Sequence, residues 1–226
     1  MKRVTLEEIG KKHLIFHVPK KVEIEGQEIA AVIKKEYELD FEAGVAKGGT
    51  CLVYHAYKLV KSSEGFLKHK VILKEFYPEL EAEDVMIVRC EDGSLEISEA
   101  VKEEDVYRAK LERFWQSYEM FVNLHNEKKT NNYVVNADEL IEANGTWYLG
   151  IDYNEACTLS EYIKKQPNLY EFCQVLKRST EAVSVLHKAG YLHLDLTPGN
   201  LMVFQDGCVR LLDTDSFLRK DELKSK

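Results

Sequence analysis

Up to about residue 152 the hydrophobic positions follow mainly the two-residue period of strands, and beyond it they follow helical spacing. Residues 14–18 and 29–33 read as strands on either side of a turn at Glu25-Gly26, and Tyr37 to Phe41 alternates apolar and charged residues as a half-buried strand does. The small-residue stretch Ala43 to Thr50 leads into an apolar strand from Cys51 to Tyr57. Val71 to Phe76 is a further strand, ended by Tyr77-Pro78, and Asp92-Gly93 predicts a hairpin joining Val85–Arg89 to Leu95–Ile97. Val106, Ala109, Phe114, Tyr118, Phe121 and Leu124 keep helical spacing between Asp105 and Leu124. Asn131-Asn132 ends that helix, and strands are expected near Tyr133–Val135, Glu139–Glu142 and Thr146–Ile151.

The remainder changes character. Leu159–Lys164 reads as a helix, and Phe172, Val175, Leu176, Val183 and Leu186 predict a long amphipathic helix stopped at Gly190. Leu201–Phe204 and Val209–Leu212 flank Asp206-Gly207, a strong hairpin signal. The change from strands to helices suggests two lobes.

Composition narrows the function classes. A chain of 226 residues, 45% hydrophobic and 31% charged, is that of a soluble globular protein of one domain or two small ones. Its net charge of -8 argues against nonspecific nucleic-acid or anionic-membrane binding as its main business. No apolar run approaches the roughly 20 residues needed to span a bilayer, and Met1 to Glu8 is not followed by the apolar core of a secretory signal. Cys51, Cys90, Cys157, Cys173 and Cys208 are odd in number, scattered, and free of any C-x-x-C pair. That pattern argues against a disulfide framework or zinc site and for a reducing, cytoplasmic setting, with buried inert thiols as the default.

The chemistry concentrates near the end of the sequence. His193-Leu194-Asp195-Leu196-Thr197-Pro198-Gly199-Asn200 is followed, beyond the Asp206-Gly207 hairpin, by Asp213. An aspartate, an asparagine five residues on and a second aspartate across a short hairpin supply what phosphoryl transfer requires. That requirement is a carboxylate beside the incoming hydroxyl and oxygen ligands for magnesium. The competing reading is that Asp195 and Asn200 cap local turns while Asp213 ends a strand. Lys74 lies in an otherwise apolar strand; it is either an outward solvated charge or, given the downstream loop, a lysine directed at α- and β-phosphates.

These segments resemble the bacterial branch of the eukaryotic-like serine/threonine protein kinases. Val71 to Pro78 is similar to the family's lysine strand, Leu186 to His193 to the segment entering its catalytic loop, and Trp147 to Tyr153 to the strand entering its hinge. The likeness covers roughly residues 37 to 216 and implies an α+β, protein-kinase-like two-lobe fold. In that fold an antiparallel sheet with one main helix forms the N-lobe, and the C-lobe is mainly helical and incomplete. The implied organisation is an N-terminal extension with strands over 1–36, an N-lobe over 37–152 and a partial C-lobe over 153–226. By the same resemblance Asp195 orients the substrate hydroxyl, Asn200 and Asp213 bind magnesium and Lys74 positions the phosphates of ATP. Gly48 and Gly49 lie in the loop over those phosphates, and the backbone of Asp152, Tyr153 and Asn154 meets adenine.

Several positions depart from the family pattern. Ala46 and Cys51 replace two of the three loop glycines, and Ser117 stands where the family has the glutamate that pairs with the strand lysine. Leu194 replaces the arginine that answers activation-loop phosphorylation, Thr197 replaces a lysine, and Asp213-Thr214-Asp215 stands in place of D-F-G. Only 13 residues follow Asp213, so the resemblance implies that the activation segment and later helices are not in this sequence. The apolar face of 172–186 is then expected to lack its usual cover: either the sequence is a fragment of a longer polypeptide, or the fold is minimal, or another chain supplies the cover. The leading reading is a phosphotransferase acting on a Ser/Thr hydroxyl of a protein. The alternatives are a pseudokinase serving as a nucleotide-binding or scaffold module and a small-molecule kinase of the aminoglycoside or choline type.

Overall fold

The structure is a computed structural model that describes residues 3–24, 27–63, 65–80, 86–127, 130, 132–152, 156–213 and 216–221. The turn at Glu25-Gly26, the start of the hairpin strand at Val85, Asn131, Tyr153, Asn154 and residues 214–215 lie outside the described residues. The architecture is mixed α/β and divides into two compact units. One comprises Met1–Glu112 with Asp138–Ile151, and the other Arg113–Ala137 with Asp152–Lys226.

The first unit is built on a sheet. Strands β1 (His13–Ile24), β2 (Gln27–Leu39), β4 (Cys51–Ser62), β5 (Gly65–Phe76), β9 (Thr146–Asp152) and β8 (Asn136–Ala143) follow one another in the order β1-β2-β4-β5-β9-β8, and β3 (Val45–Lys47) pairs with β4. The pairs β1–β2, β2–β4, β3–β4 and β4–β5 are antiparallel. The two short strands expected at 29–33 and 37–41 are one continuous β2, which runs across residue 36 and joins the extension to the main sheet. Alternation decides what is buried: Leu14 and Phe16 are interior while Ile15 between them is 48% exposed. Phe16 packs its ring 5.5 Å from Tyr37 and 4.8 Å from Tyr148, which ties β1, β2 and β9 into one core.

The Asp92-Gly93 hairpin forms as expected, pairing β6 (Ile87–Arg89) with β7 (Leu95–Ile97). Gly93 takes φ +91°, a conformation that glycine reaches without steric cost. A short helix α1 (Glu99–Glu103), which the periodicity did not reveal, precedes α2 (Asp105–Asn126). Tyr107, Phe114, Ser117, Phe121 and Leu124 form the buried stripe of α2. Val106, 56% exposed, and Ala109, also exposed, are therefore not on that face; Tyr107 takes the place of its neighbour Val106.

In the second unit α3 (Leu159–Lys164) starts at a capping box, with Thr158 accepting from the Glu161 N–H and Glu161 accepting from the Thr158 N–H. Helix α4 (Leu169–Lys188) starts at Asn168, whose side chain accepts from the Glu171 N–H, and it buries Val175, Ser179, Ala182 and Leu186. Gly190, at φ +92°, ends it as predicted. Strands β10 (Ala156–Thr158), β12 (Leu201–Phe204) and β13 (Val209–Leu211) form one small sheet, and β11 (Tyr191–His193) pairs with β14 (Phe217–Arg219). The expected strand at Tyr133–Val135 is a single parallel bridge between Val134 and Leu211, too short to show a period.

All five cysteines are free thiols; Cys51 is buried, but Cys173 is exposed, so burial is not common to them. Among the described residues no helix is long and apolar enough to cross a membrane.

Candidate functional site

The candidate residues fall in both units. In the second, β11 delivers His193 and the chain then turns through Asp195 into a 3-10 turn, Pro198–Asn200, ahead of β12. The Thr197 N–H donates to the Asp195 carbonyl at 3.0 Å and the Asn200 N–H to the Thr197 carbonyl at 3.0 Å, so proline and glycine shape a compact loop. Within it the Asn200 amide nitrogen donates to the Asp195 carbonyl at 2.8 Å and to its carboxylate Oδ2 at 3.0 Å. One asparagine therefore fixes the aspartate's backbone and its carboxylate. Asp195 itself is exposed.

Asp213 joins them through backbone pairing. The β12–β13 hairpin aligns Leu201 with Leu211, and the Leu212 N–H donates to the Asn200 carbonyl at 2.9 Å. Asp213, the next residue, is half-buried and sits at φ +63°. A non-glycine residue there carries strain of about 1–3 kcal/mol, which the surrounding structure must offset. Ser216 does so locally: its hydroxyl donates to Asp213 Oδ2 at 2.8 Å and its N–H to the Asp213 carbonyl at 3.0 Å. With its NH2 committed to Asp195, Asn200 keeps a side-chain carbonyl oxygen, and this and the Asp213 carboxylate are oxygen donors of the type a hard cation takes. Among the described residues no group of three or more His, Cys, Asp or Glu side chains is placed to hold a metal ion.

His193 supports the loop from beneath. Its Nδ1 accepts from the Asp195 N–H at 3.3 Å, and its ring lies 4.8 Å from that of Phe217 on the paired strand. Burial pushes the imidazole's pKa down, against the pull of Asp213, the Leu212 backbone and Asp195.

In the first unit Lys74 lies on β5 opposite Val53. It is 9% exposed, which excludes an outward solvated charge. Gly48 and Gly49 form the turn from β3 to β4, with the Gly48 N–H donating to the Cys51 carbonyl at 2.9 Å. Neither glycine has positive φ. A Cβ would meet nothing within 4 Å at Gly49, and only the Cys51 carbonyl at 3.7 Å at Gly48. The turn does not itself require glycine here, so the space above it is open to another group. Asp152 ends β9 and is exposed.

Beside Lys74 the sequence reading missed a buried polar network. Glu75 has a side chain with 0% exposure, and Arg89 meets it with two nitrogens at 2.9 and 2.6 Å. The hydroxyls of Tyr54 and Tyr148 donate to the same carboxylate at 3.0 and 2.8 Å. Burial first, and then the Glu75 charge, push both tyrosine pKa values up, so they remain protonated donors. Burial opposes the Arg89 charge, but the Glu75 hydrogen bonds and charge outweigh it and hold the guanidinium protonated. The signal was present in the sequence: two consecutive charged residues in a strand with apolar neighbours face opposite sides, and each needs a partner if both are covered.

Ser117 is buried on α2 between Phe114 and Phe121, whereas Glu119 is exposed. The serine, not the nearby glutamate, thus occupies the inward face.

No protein-family model matches the chain. The chain is 27% identical over 188 residues, 82% of its length, to a probable serine/threonine-protein kinase of Clostridium acetobutylicum, of which the match covers 23%. It is 30% identical over 70 residues, 31% of its length, to the eIF-2-alpha kinase of Schizosaccharomyces pombe, of which the match covers 4%. The chain thus spans less than a quarter of the length of these relatives.

Proposed function

This chain belongs to the protein-kinase family, and from that premise we propose that it is an ATP- and magnesium-dependent phosphotransferase acting on a Ser/Thr hydroxyl of a protein. The observation that carries the reading is the double hydrogen bond from Asn200 to Asp195, with Asp213 held beside Asn200 through Leu212. Asp195 orients the incoming hydroxyl and receives its proton as the oxygen attacks the γ-phosphorus and the bond to the β-phosphate oxygen breaks. Asn200 holds the Asp195 carboxylate in one rotamer for that step. Asn200 and Asp213 would hold magnesium through oxygen, and the ion would supply charge neutralisation at the phosphates. Lys74 places the α- and β-phosphates, the Gly48-Gly49 turn covers them, and the backbone at Asp152, where β9 ends, meets adenine. In this reading residues 37–152 act as N-lobe and 153–226 as a partial C-lobe, with 1–36 an extension, in a cytoplasmic protein.

A second reading, a pseudokinase that binds nucleotide without transfer, is favoured by one observation: Ser117 takes the inward position on α2 where the resemblance has a glutamate. Radiolabelled transfer from Mg·ATP to mixed protein substrates separates the two. Wild type transfers label, and Asp195→Ala and Asp213→Ala each lower the rate by about 10²- to 10⁴-fold. Nucleotide binding without any transfer by wild type selects the pseudokinase.

A further inference from the structure

Residues 3–11 fold across the turn that the proposed function assigns to the nucleotide's phosphates. We propose that this segment is a strap, and that Arg3 is a positioning residue that sets the orientation of the Gly48–Thr50 loop. The inference rests on the nucleotide-binding reading for its consequence, but not for its geometry.

The guanidinium of Arg3 bridges two carbonyls, donating to Gly48 at 2.5 Å and to Tyr77 at 2.5 Å. It also stands 3.9 Å from the Glu79 carboxylate. One side chain therefore links the loop before β4 to the segment after β5. The strap is anchored behind Arg3: Leu6 is fully buried, its N–H donates to the Tyr54 hydroxyl at 3.2 Å, and the Val4 carbonyl accepts from Arg89 Nε at 2.8 Å. Both partners belong to the network around Glu75. Thr5 and Glu8 close the strap's own turn reciprocally, Glu8 Oε2 accepting from the Thr5 N–H at 2.7 Å and Thr5 Oγ1 from the Glu8 N–H at 3.1 Å. Glu8 also lies 3.9 Å from Lys47, the residue before Gly48.

What the strap does follows from peptide geometry. The Gly48 carbonyl is held by Arg3, the Gly49 carbonyl by the Glu79 N–H at 2.9 Å, and the Thr50 carbonyl by the Tyr77 N–H at 3.0 Å. In a planar trans peptide the N–H points opposite to the C=O. Fixing the Gly48 and Gly49 carbonyls inward therefore turns the N–H groups of Gly49 and Thr50 the other way, as donors for phosphate oxygens. Ala46 and Cys51 have removed the conformational freedom that glycines give such a loop, and the strap supplies orientation by restraint instead.

The test uses the full chain as wild type, Arg3→Ala and Arg3→Lys, with amide hydrogen exchange of residues 46–52 in the absence of nucleotide and calorimetric titration with Mg·ATP. In Arg3→Ala, exchange at Gly48, whose N–H is bonded to the Cys51 carbonyl within the restrained loop, accelerates about tenfold and the Kd for Mg·ATP rises about fivefold to tenfold, the scale of losing hydrogen bonds to a charged donor. The Tm stays nearly constant, since the anchor at Leu6 is intact. Lysine restores less than half of either effect, because one ammonium on a flexible stem does not reproduce the planar fork. Unchanged exchange in Arg3→Ala overturns the strap whether or not nucleotide binds. Faster exchange with an unchanged Kd overturns the positioning role. Absence of Mg·ATP binding by wild type sinks the nucleotide reading instead, and the exchange arm still decides the strap.

Discussion

At the scale of single residues, the loop from His193 to Asn200 and the pair Glu75–Arg89 place opposite demands on water. Asp195 is exposed and is held by one asparagine, so Asn200→Ala is expected to slow phosphate transfer about tenfold or more while leaving thermal stability nearly unchanged. A variant that transfers at the wild-type rate removes Asn200 from the machinery. Glu75 has no exposure, and its loss leaves Arg89 buried without a counter-charge. Glu75→Gln is therefore expected to destabilise the fold by about 3–5 kcal/mol in denaturant titration. The Asp195–Asn200 spacing was legible in the sequence because it lies within one loop. The Glu75–Arg89 partnership was not, because a strand pattern states which way a side chain points and not what it meets there. Asp213 was legible as a ligand candidate, but its φ of +63° was not.

Among the elements, the turns at Gly145 and at Asp206-Gly207 differ in kind. Gly145 joins β8 to β9 at φ +72°, and a Cβ there would stand 2.0 Å from the Leu95 carbonyl oxygen. The Leu95 N–H donates to the Asn144 carbonyl at 2.8 Å, so the β6–β7 hairpin rests on this turn. Gly145→Ala is expected to cost more than about 2 kcal/mol and to lower the Tm by several degrees in calorimetry. A neutral substitution shows that the hairpin moves freely from the turn. In the β12–β13 hairpin, Asp206 accepts from the Cys208 N–H at 2.8 Å, and that bond holds its carboxyl below the usual range. A depressed carboxylate contributes stability above its unfolded pKa and loses it as pH falls through the folded value. The stability difference between wild type and Asp206→Ala is thus present near neutrality and closes on acidification below the ordinary carboxylate range. A difference that widens in acid contradicts this assignment. Both hairpins were readable from their Asp-Gly pairs, whereas β10, β11 and β14 are too short to carry a period.

For the whole molecule, nucleotide is the ligand whose binding the proposed function requires. At a hundred times its Kd, Mg·ATP is expected to stabilise the native state by about 2.7 kcal/mol. The upward thermal shift should diminish with EDTA and in Asp213→Ala; a shift insensitive to both removes magnesium from the site. Of the face 172–186 that the resemblance left without its usual cover, Leu176 is 42% exposed, whereas Val175 and Leu186 are buried within the chain itself. The sequence by itself determined most of the long elements, the two Asp-Gly hairpins, the stop of α4 at Gly190 and the spacing of Asp195, Asn200 and Asp213. Each of these is written in local periodicity or in spacing along one stretch of chain. Only the tertiary structure decided that β2 joins the extension to the main sheet, that Glu75 pairs with Arg89 and that Arg3 reaches Gly48. Those are contacts between residues far apart in sequence, fixed by strand register and by the need to satisfy buried charge, and no local pattern encodes them.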